Sequence, residues 1–438
     1  MTFVDTTQPT VTDRLLVNAL ASRLGDLLAD ERLDRRARNL REPTNDEERE
    51  FARTAVHAEL LRLAATRRAE GRSVLTIFDE AAISSAAIAQ VLGLGRLQPL
   101  LEDDEISDIH VRGSCRVWVK LRNGQRETRD PIVDTDEELI ELVRRAATRL
   151  SRQERRFDAG TPELNMQLPD GSRLFATMDV SLRPSLIIRR HRFEISSLDE
   201  LRLRGLLTQE LQNFLIAAVR ARRNFVIAGG TGSGKTTLLR ALINEVPPSE
   251  RLVTIEDAYE LGLDHFEHLH PDHDALQSRP ANIEGQGEIT LADLTRMALR
   301  MDPDRVIVGE VRGAEAFPML LAMSQGNNGS MCTMHADSTR SVFPKLAAYV
   351  SMASTGLPID TVNLLLASAL HFVIYIDNSS DWRQVTSVRE VVDSDGSNII
   401  SNEIFAVGNN SELIKAIPLR ETTRELLTKF GYEDRGDS

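Results

Sequence analysis

Eight consecutive residues in the middle of the chain combine glycines, hydroxyl groups and one lysine. Residues 229–236 read GGTGSGKT and follow a short apolar stretch, NFVI. They match the pattern G-x-x-x-x-G-K-[ST] at every position. Glycines let a backbone turn approach a phosphate without a Cβ clash, and the positive end of the following helix attracts the anion. The octet therefore predicts a loop that binds the phosphates of ATP.

Within this loop, residue type predicts a role for each side chain. Lys235 is expected to reach the β- and γ-phosphates, and the hydroxyl of Thr236 is expected to bind Mg²⁺. The nucleotide-binding residues predicted from the loop are Gly229, Gly230, Thr231, Gly232, Ser233, Gly234, Lys235, Thr236 and Thr237.

Acidic residues follow two further apolar stretches. LVTIEDAYEL places Glu256 at the carboxyl end of a predicted strand, and RVIVGEVRG places Glu310 in the same way. In open α/β sheets, ligands bind beyond these strand ends. Glu310 resembles the acid of a Walker B strand, although Gly309 stands where an aspartate is usual. Glu310 is predicted to bind the metal or orient the attacking water, and Glu256 is the second candidate; the residues leave this choice open.

Histidines occur at two places after the phosphate loop. GNNGSMCTMHADS ends a predicted strand at His335, which could sense the γ-phosphate, although residue type alone favours an ordinary hydrogen-bonded histidine. HFEHLHPDH contains His265, His268, His270 and His273. A zinc site is conceivable there, but a polar insertion is favoured because no cysteine accompanies the histidines.

The elements that must position these residues change in character along the chain. Residues 1–100 show helical periodicity, with a cap predicted at Asn45. Residues 101–195 alternate strand patterns with one amphipathic helix and predict a small α+β domain. From residue 196 to 438, short apolar strands alternate with helices, which indicates an α/β domain with a mostly parallel sheet.

Net charge, apolar stretches and cysteine content disfavour several classes of protein. The 438 residues carry a formal net charge of −13, which disfavours a protein that coats nucleic acid. The start lacks the layout of a signal peptide. The longest apolar stretch, residues 362–376, is shorter than the ~20 residues of a membrane-spanning helix. Two cysteines, Cys115 and Cys332, cannot form a disulfide framework.

Taken in order, four blocks resemble the secretion-superfamily ATPases, the motors of type II and type IV secretion and of type IV pili. The blocks are GGTGSGKTTLL, TIEDAYEL, RPANIEGQGEITLADLTRMALRMDPDRVIVGEVRGAEA and GSMCTMHADS. Within the superfamily they are similar to the CpaF-like branch, which serves Tad/Flp pilus assembly. The resemblance covers about residues 95–380. It implies a RecA-like P-loop ATPase domain, preceded by the smaller α+β domain and an N-terminal helical region.

The resemblance also implies partners and further site residues. Arg173 and Arg189 stand where the family supplies arginines that reach the nucleotide across a cleft, although a one-residue shift would exchange Arg189 for Arg190. Asn327 stands where many relatives have a histidine. The family implies a homo-hexamer in the cytoplasm, held at the inner face of the cytoplasmic membrane by an inner-membrane platform protein. No direct nucleic-acid contact is expected, in line with the acidic net charge.

Two other functions stay open at this level. The first is a nucleic-acid translocase, such as a conjugation-type DNA-transfer ATPase, with the arginines of RRAATRLSRQERR lining a channel. A solvated helix face or a subunit contact is favoured for these arginines, because no aromatic residues interleave them as stacking platforms. The second is a regulatory scaffold that binds ATP with little turnover.

Overall fold

In the computed structural model, the chain forms two compact units, Met1–His191 and Arg192–Ser438. The structure describes residues 11–150, 156–190, 197–281, 284–378, 383–408 and 412–433. The predicted border between the α+β domain and the ATPase domain, at residues 195 and 196, lies outside the described residues. The division of the chain into three domains stays a prediction.

The first unit begins with three helices that pack around their own apolar core, which includes Leu24, Val56 and Ile83. The helices of this unit are α1 Val11–Ala37, α2 Asn45–Ala69, α3 Ile77–Leu92, α4 Gln98–Glu102 and α5 Asp136–Leu150. Taken singly, none of the helices in the described ranges is long and apolar enough to cross a membrane; α3 and the segment Gly95–Glu102 meet the length and composition criteria jointly, with a 117° bend between them.

The cap predicted at Asn45 is wrong by one residue. Thr44 precedes the helix, and its side chain accepts a hydrogen bond from the backbone N–H of Glu47. The Glu47 carboxylate in turn accepts from the backbone N–H of Thr44 at 2.9 Å. This reciprocal pair is a capping box, which requires a threonine or serine three residues before the acid.

The described strands of the first unit form one antiparallel sheet, in the order β3-β2-β1-β6-β5-β4. Every strand except Arg126–Arg129 contributes buried apolar residues, mostly at alternate positions, and these join the apolar side chains of α5 in one core. The other face of the sheet stays more exposed. The strands are β1 Ile106–Arg112, β2 Val117–Leu121, β3 Arg126–Arg129, β4 Glu163–Gln167, β5 Arg173–Thr177 and β6 Ser185–Arg189.

The second unit contains a larger sheet, in the order β15-β14-β13-β12-β7-β11-β10-β8-β9. Its strands are β7 Phe225–Gly229, β8 Leu252–Glu256, β9 His273–Gln277, β10 Arg305–Val308, β11 Met331–His335, β12 Phe372–Asp377, β13 Gln384–Ser394, β14 Ile399–Val407 and β15 Leu413–Lys415. Its helices are α6 Leu198–Leu203, α7 Gln209–Arg220, α8 Lys235–Ile243, α9 Leu291–Ala298, α10 Ala316–Ser324, α11 Val342–Met352, α12 Ile359–Ala369 and α13 Glu421–Thr428.

The strands from β12 to β9 pair in parallel, which confirms the predicted α/β fold with a mostly parallel sheet. Strands β13, β14 and β15 extend this sheet with antiparallel pairs. Apolar cores cover both faces, so β7, β8 and β10 are buried along their whole length. A strand buried on both faces shows as a continuous apolar run, which is why the sequence indicates these strands clearly.

Strand β9 is not predicted by the sequence patterns. The histidine-rich stretch, interpreted from its sequence as a polar insertion, leads through a 3₁₀ turn at Leu263–Phe266 into β9, which pairs with β8 at the edge of the sheet. Every residue of β9 is half-buried. An edge strand of this kind has no apolar alternation, so its sequence HDALQ carries no strand signal.

Candidate functional site

The phosphate loop connects β7 to α8, and its backbone is shaped by glycines. Gly232 has φ 72° and Gly234, which precedes the helix, has φ 98°, both in the left-handed region. At Gly229 the constraint is space, because a Cβ there would lie 2.6 Å from the carbonyl oxygen of Ile376 and from Oγ of Ser233. The loop therefore requires glycine at these three positions, at two of them because φ is positive and at Gly229 because a Cβ would clash.

Lys235 lies on the inner side of this loop and is 7% exposed. Its Nζ donates hydrogen bonds to the carbonyl oxygens of Gly230 at 2.7 Å and Gly229 at 3.2 Å. Burial lowers the pKa of Lys235, and the nearby charge of Glu310 opposes that change. A bound phosphate would therefore compete with these two carbonyl oxygens for the ammonium group of Lys235.

Lys235, His335 and Glu310 form one chain of contacts. Lys235 Nζ lies 3.4 Å from Nδ1 of His335, and Nε2 of the same ring lies 2.9 Å from Oε1 of Glu310. With a neutral imidazole, Nδ1 accepts from the ammonium and Nε2–H donates to the carboxylate. The pairing of β11 with β7 places His335 directly opposite Gly229. Three residues from three separate sequence motifs therefore meet at one edge of the sheet.

Glu256 lies at the same edge of the sheet but in a different environment. Its side chain is buried, and Oε1 accepts hydrogen bonds from the backbone N–H groups of Glu260 at 2.8 Å and Leu261 at 2.9 Å. Burial raises the pKa of Glu256 to about 7, against the opposing effect of these two hydrogen bonds. Glu256 is accordingly held by its own loop.

The glycine that replaces the usual Walker B aspartate lies against Glu256. A Cβ at Gly309 would be 3.2 Å from Cγ of Glu256. The backbone of Gly309 is fixed by its N–H, which donates to the Ile255 carbonyl at 2.8 Å, and by its carbonyl, which accepts from Thr333 Oγ1 at 2.6 Å. Glu256 therefore fills the space into which a side chain at position 309 would extend.

Arg173 and Arg189 belong to the first unit. They are direct partners across β5 and β6, so their side chains start from the same, more exposed face of that sheet. Arg189 Nε lies 3.9 Å from Oδ1 of Asp108. Arg190, by contrast, donates to backbone carbonyls, including that of Ile106 at 3.1 Å. The register thus pairs Arg189, rather than Arg190, with Arg173; their contact with a nucleotide stays a prediction.

Two side chains that the sequence motifs do not indicate adjoin the phosphate loop. Asn378 follows β12, and its Nδ2 donates to the carbonyl oxygen of Thr231 at 3.1 Å. Arg383 precedes β13, and its Cδ would lie 3.9 Å from a Cβ at Gly234. The available signal was an apolar run ending in polar residues, FVIYIDN, which matches the strand ends that carry Glu256 and Glu310.

Other polar residues singled out in the sequence lie away from this chain of contacts. Asn327 donates from Nδ2 to the carbonyl oxygen of Pro303 at 2.6 Å, in the connection before β11. His270 is buried, which lowers its pKa to about 4, and its Nε2 lies 3.4 Å from Oδ1 of Asn244. Throughout the described ranges, no group of three or more His, Cys, Asp or Glu side chains could hold a metal ion.

Comparisons with known proteins identify the family of this chain. The model of the family described as Type II/IV secretion system protein matches residues 90–395. A Mycobacterium tuberculosis protein whose name assigns it to conjugal transfer is 36% identical over 296 residues, which are 66% of this chain and 81% of that protein. The type IV secretion system protein VirB11 of Brucella suis is 32% identical over 335 residues, 70% of this chain and 90% of its own.

Among solved structures, the pilus retraction motor PilT with bound ADP is similar in fold. It has a TM-score of 0.50 and 18% identity, and the match covers 77% of this chain and 86% of that chain. The chain therefore belongs to the family of type II/IV secretion system proteins, and it is a secretion-superfamily ATPase with a RecA-like ATPase domain.

Proposed function

We propose that this chain is the ATP-hydrolysing motor of a Tad/Flp-type pilus or of a type II/IV secretion apparatus at the inner membrane. The observation that carries the proposal is the contact chain Lys235–His335–Glu310 beside the phosphate loop. The CpaF-like branch rests on the sequence blocks quoted above.

In this proposal, the loop residues 229–237 bind ATP. Lys235 exchanges its two backbone carbonyls for the β- and γ-phosphates, which are stronger partners for an ammonium because they are charged. The hydroxyl of Thr236 and the carboxylate of Glu310 would hold Mg²⁺, since hard oxygen ligands of this kind suit that ion. Bound there, Mg²⁺ would neutralise charge on the phosphates.

Of the two acids, Glu310 is the better candidate to orient the attacking water. Its side chain is 38% exposed, so water reaches it, and it contacts the histidine beside Lys235. Glu256 is buried, and with a pKa of about 7 it is only partly ionised near neutral pH. Glu256 is assigned a supporting role, in which it holds the loop after β8.

His335 is proposed to sense the γ-phosphate. When Lys235 turns towards the phosphates, Nδ1 of His335 loses its ammonium partner, so the ring becomes free to respond to the nucleotide. Arg173 and Arg189 are proposed to stabilise charge on the transferred phosphoryl group, as guanidinium groups do in related chemistry.

The test of the site assignment is Lys235→Ala. Phosphate release should fall by at least about 100-fold, because a phosphate-binding cation is removed from a water-poor site. Lys429→Ala, which changes an exposed lysine after α13, is the matched control and should leave turnover unchanged. Turnover in Lys235→Ala equal to that of the control would refute the assignment.

The working form is proposed to be a cytoplasmic homo-hexamer that passes its motion to an inner-membrane platform protein, with membrane association through that partner and without direct nucleic-acid contact. The family membership supports this arrangement. Light scattering with ATP and Mg²⁺ tests it, since a strictly monomeric protein under those conditions would contradict a ring.

A second candidate function is a conjugation-type DNA-transfer ATPase. The observation that favours it is the M. tuberculosis relative named for conjugal transfer. It predicts that single-stranded DNA stimulates phosphate release and that higher salt abolishes the stimulation, because phosphate contacts release counterions. The absence of stimulation at low salt would leave the pilus or secretion motor as the function.

A further inference from the structure

A cluster of polar side chains lies beneath the loop that follows His335. It consists of Thr339, Ser387, Arg389 and Glu403, here called the Thr339 cluster. The Oγ atoms of Thr339 and Ser387 are 3.0 Å apart, and Arg389 Nε donates to Thr339 Oγ1 at 3.3 Å. Arg389 Nη2 lies 3.1 Å from Oε2 of Glu403, whose other oxygen accepts from Ser387 at 2.5 Å. Thr339 is 2% exposed and Arg389 is 3% exposed.

This cluster joins two parts of the second unit that are not neighbours in the sheet. Thr339 follows the last residue of β11 by four positions, whereas Ser387 and Arg389 belong to β13. Two strands, β7 and β12, separate β11 from β13 in the strand order. The loop must therefore cross both strands to reach the cluster.

The loop is held at both of its ends. At one end, β11 pairs with β7 up to His335 opposite Gly229. At the other, Ser338 and Ser341 exchange hydrogen bonds of 3.0 and 3.1 Å just before α11. Thr339, which lies within the Ser338–Ser341 turn, is bound to the buried guanidinium of Arg389. Leaving a buried guanidinium N–H without its acceptor is unfavourable, so Thr339 is disfavoured from leaving this position.

We propose that Thr339 and Arg389 are positioning residues for ATP hydrolysis. They hold the loop so that the imidazole of His335 stays between Lys235 and Glu310. The inference rests on the proposed role of His335 at the nucleotide. It assigns the antiparallel extension of the sheet a part in turnover, although none of the hydrogen bonds and ion pairs given above for the cluster reaches the phosphate loop.

The opposite face of β13 supplies a matched control. Glu390, next to Arg389 in the chain, is 1% exposed and accepts from Thr423 Oγ1 at 2.6 Å and from Arg420 Nε at 3.0 Å. Each buried charge of β13 thus binds one buried threonine and one ionic partner. Thr339 belongs to the loop that follows His335, whereas Thr423 belongs to α13.

The experiment compares Thr339→Val with Thr423→Val in the full chain. Both should lower the thermal midpoint by a similar amount, because each removes one hydroxyl partner of a buried charge. In Thr339→Val, kcat should fall about tenfold, which corresponds to about 1.4 kcal/mol in the barrier, while the KM for ATP stays within about twofold. In Thr423→Val, kcat should not change. Thr339→Ser keeps the hydroxyl and should restore kcat.

Hydrogen exchange provides a readout that does not depend on turnover. Amides of residues 336–341 should exchange faster in Thr339→Val than in Thr423→Val or the wild type. Glu403→Gln, at the more exposed end of the cluster, gives the same test if Thr339→Val does not fold. Equal kcat in the two valine variants, or unchanged exchange in the loop, would overturn the inference. A wild type without ATPase activity would instead refute the proposed function, and the exchange result would still decide whether the loop is held.

Discussion

Two acids at the same edge of the sheet lie in opposite environments. Glu256 ends β8, Glu310 follows β10 by two residues, and these strands are direct parallel neighbours. Glu256 is buried among backbone donors, whereas Glu310 is partly exposed and contacts the histidine beside the phosphate-loop lysine. Both acids lie at a strand end, so this position alone does not determine their environment. The groups that surround each carboxylate make the two environments different.

This difference separates two ways of using a carboxylate. A buried acid held by backbone N–H groups organises its loop, and it loses part of its charge because burial disfavours ionisation. A water-accessible acid beside a histidine keeps contact with solvent, as a group that orients a water molecule requires. We therefore expect substitution of Glu310 to affect mainly turnover and substitution of Glu256 to affect mainly stability.

The largest effect is expected from Glu310→Gln. The amide keeps the shape and can still meet the His335 ring, but it loses the charge that would bind the metal or accept a proton from water. The kcat for phosphate release should fall by about 100-fold or more, which is the usual contribution of a positioned general base. Binding of a fluorescent ATP analogue should remain. If Glu310→Gln turns over within threefold of the wild type, Glu310 is not the acid that acts on water.

The second effect is on stability and depends on pH. Burial raises the pKa of Glu256 to about 7 from the ordinary 4.5, so folding favours its protonated form. The stabilisation is complete below pH 4.5 and is lost as the pH rises through 7; the loss amounts to roughly 3 kcal/mol. Glu256→Gln keeps the acceptor oxygen and cannot ionise. Between pH 5 and pH 8, the thermal midpoint of the wild type should fall by about 5–10 °C relative to that of the variant.

The same variant also tests the kinetic side of the comparison. Glu256→Gln should keep kcat at neutral pH within about threefold of the wild type, because its oxygen still holds the loop after β8. A loss as large as that in Glu310→Gln would show that both acids act on the nucleotide. If the thermal midpoints of the wild type and of Glu256→Gln change with pH in parallel, Glu256 ionises as freely in the folded chain as in water.

The sequence predicts the presence of the site better than its internal contacts. Motif spacing and buried strands place Lys235, Glu310 and His335 at one sheet edge, because parallel strands end on the same side. Residue type does not show that Glu256 is buried, since that depends on the loop that folds over it. Asn378 was missed for a similar reason, because β12 is adjacent to β7 only in the three-dimensional order of the sheet.

The smallest effect is expected from Gly309→Ala, which tests why the Walker B aspartate is missing. The new methyl group would lie 3.2 Å from Cγ of Glu256, and two backbone hydrogen bonds keep that side chain from moving away. Overpacking of this kind should lower stability by about 1 kcal/mol, seen as a drop of a few degrees in the thermal midpoint.

A double-mutant cycle with Glu256→Ala decides whether this contact is the cause. Removing the glutamate side chain opens the space that the methyl group needs, so the penalty of Gly309→Ala should disappear in that background. If the penalty is the same in both backgrounds, it arises from the backbone at position 309, and the two positions are independent. If the penalty disappears, the side chain of Glu256 occupies the space of the usual aspartate. The acid at the end of β8 then excludes an aspartate at position 309.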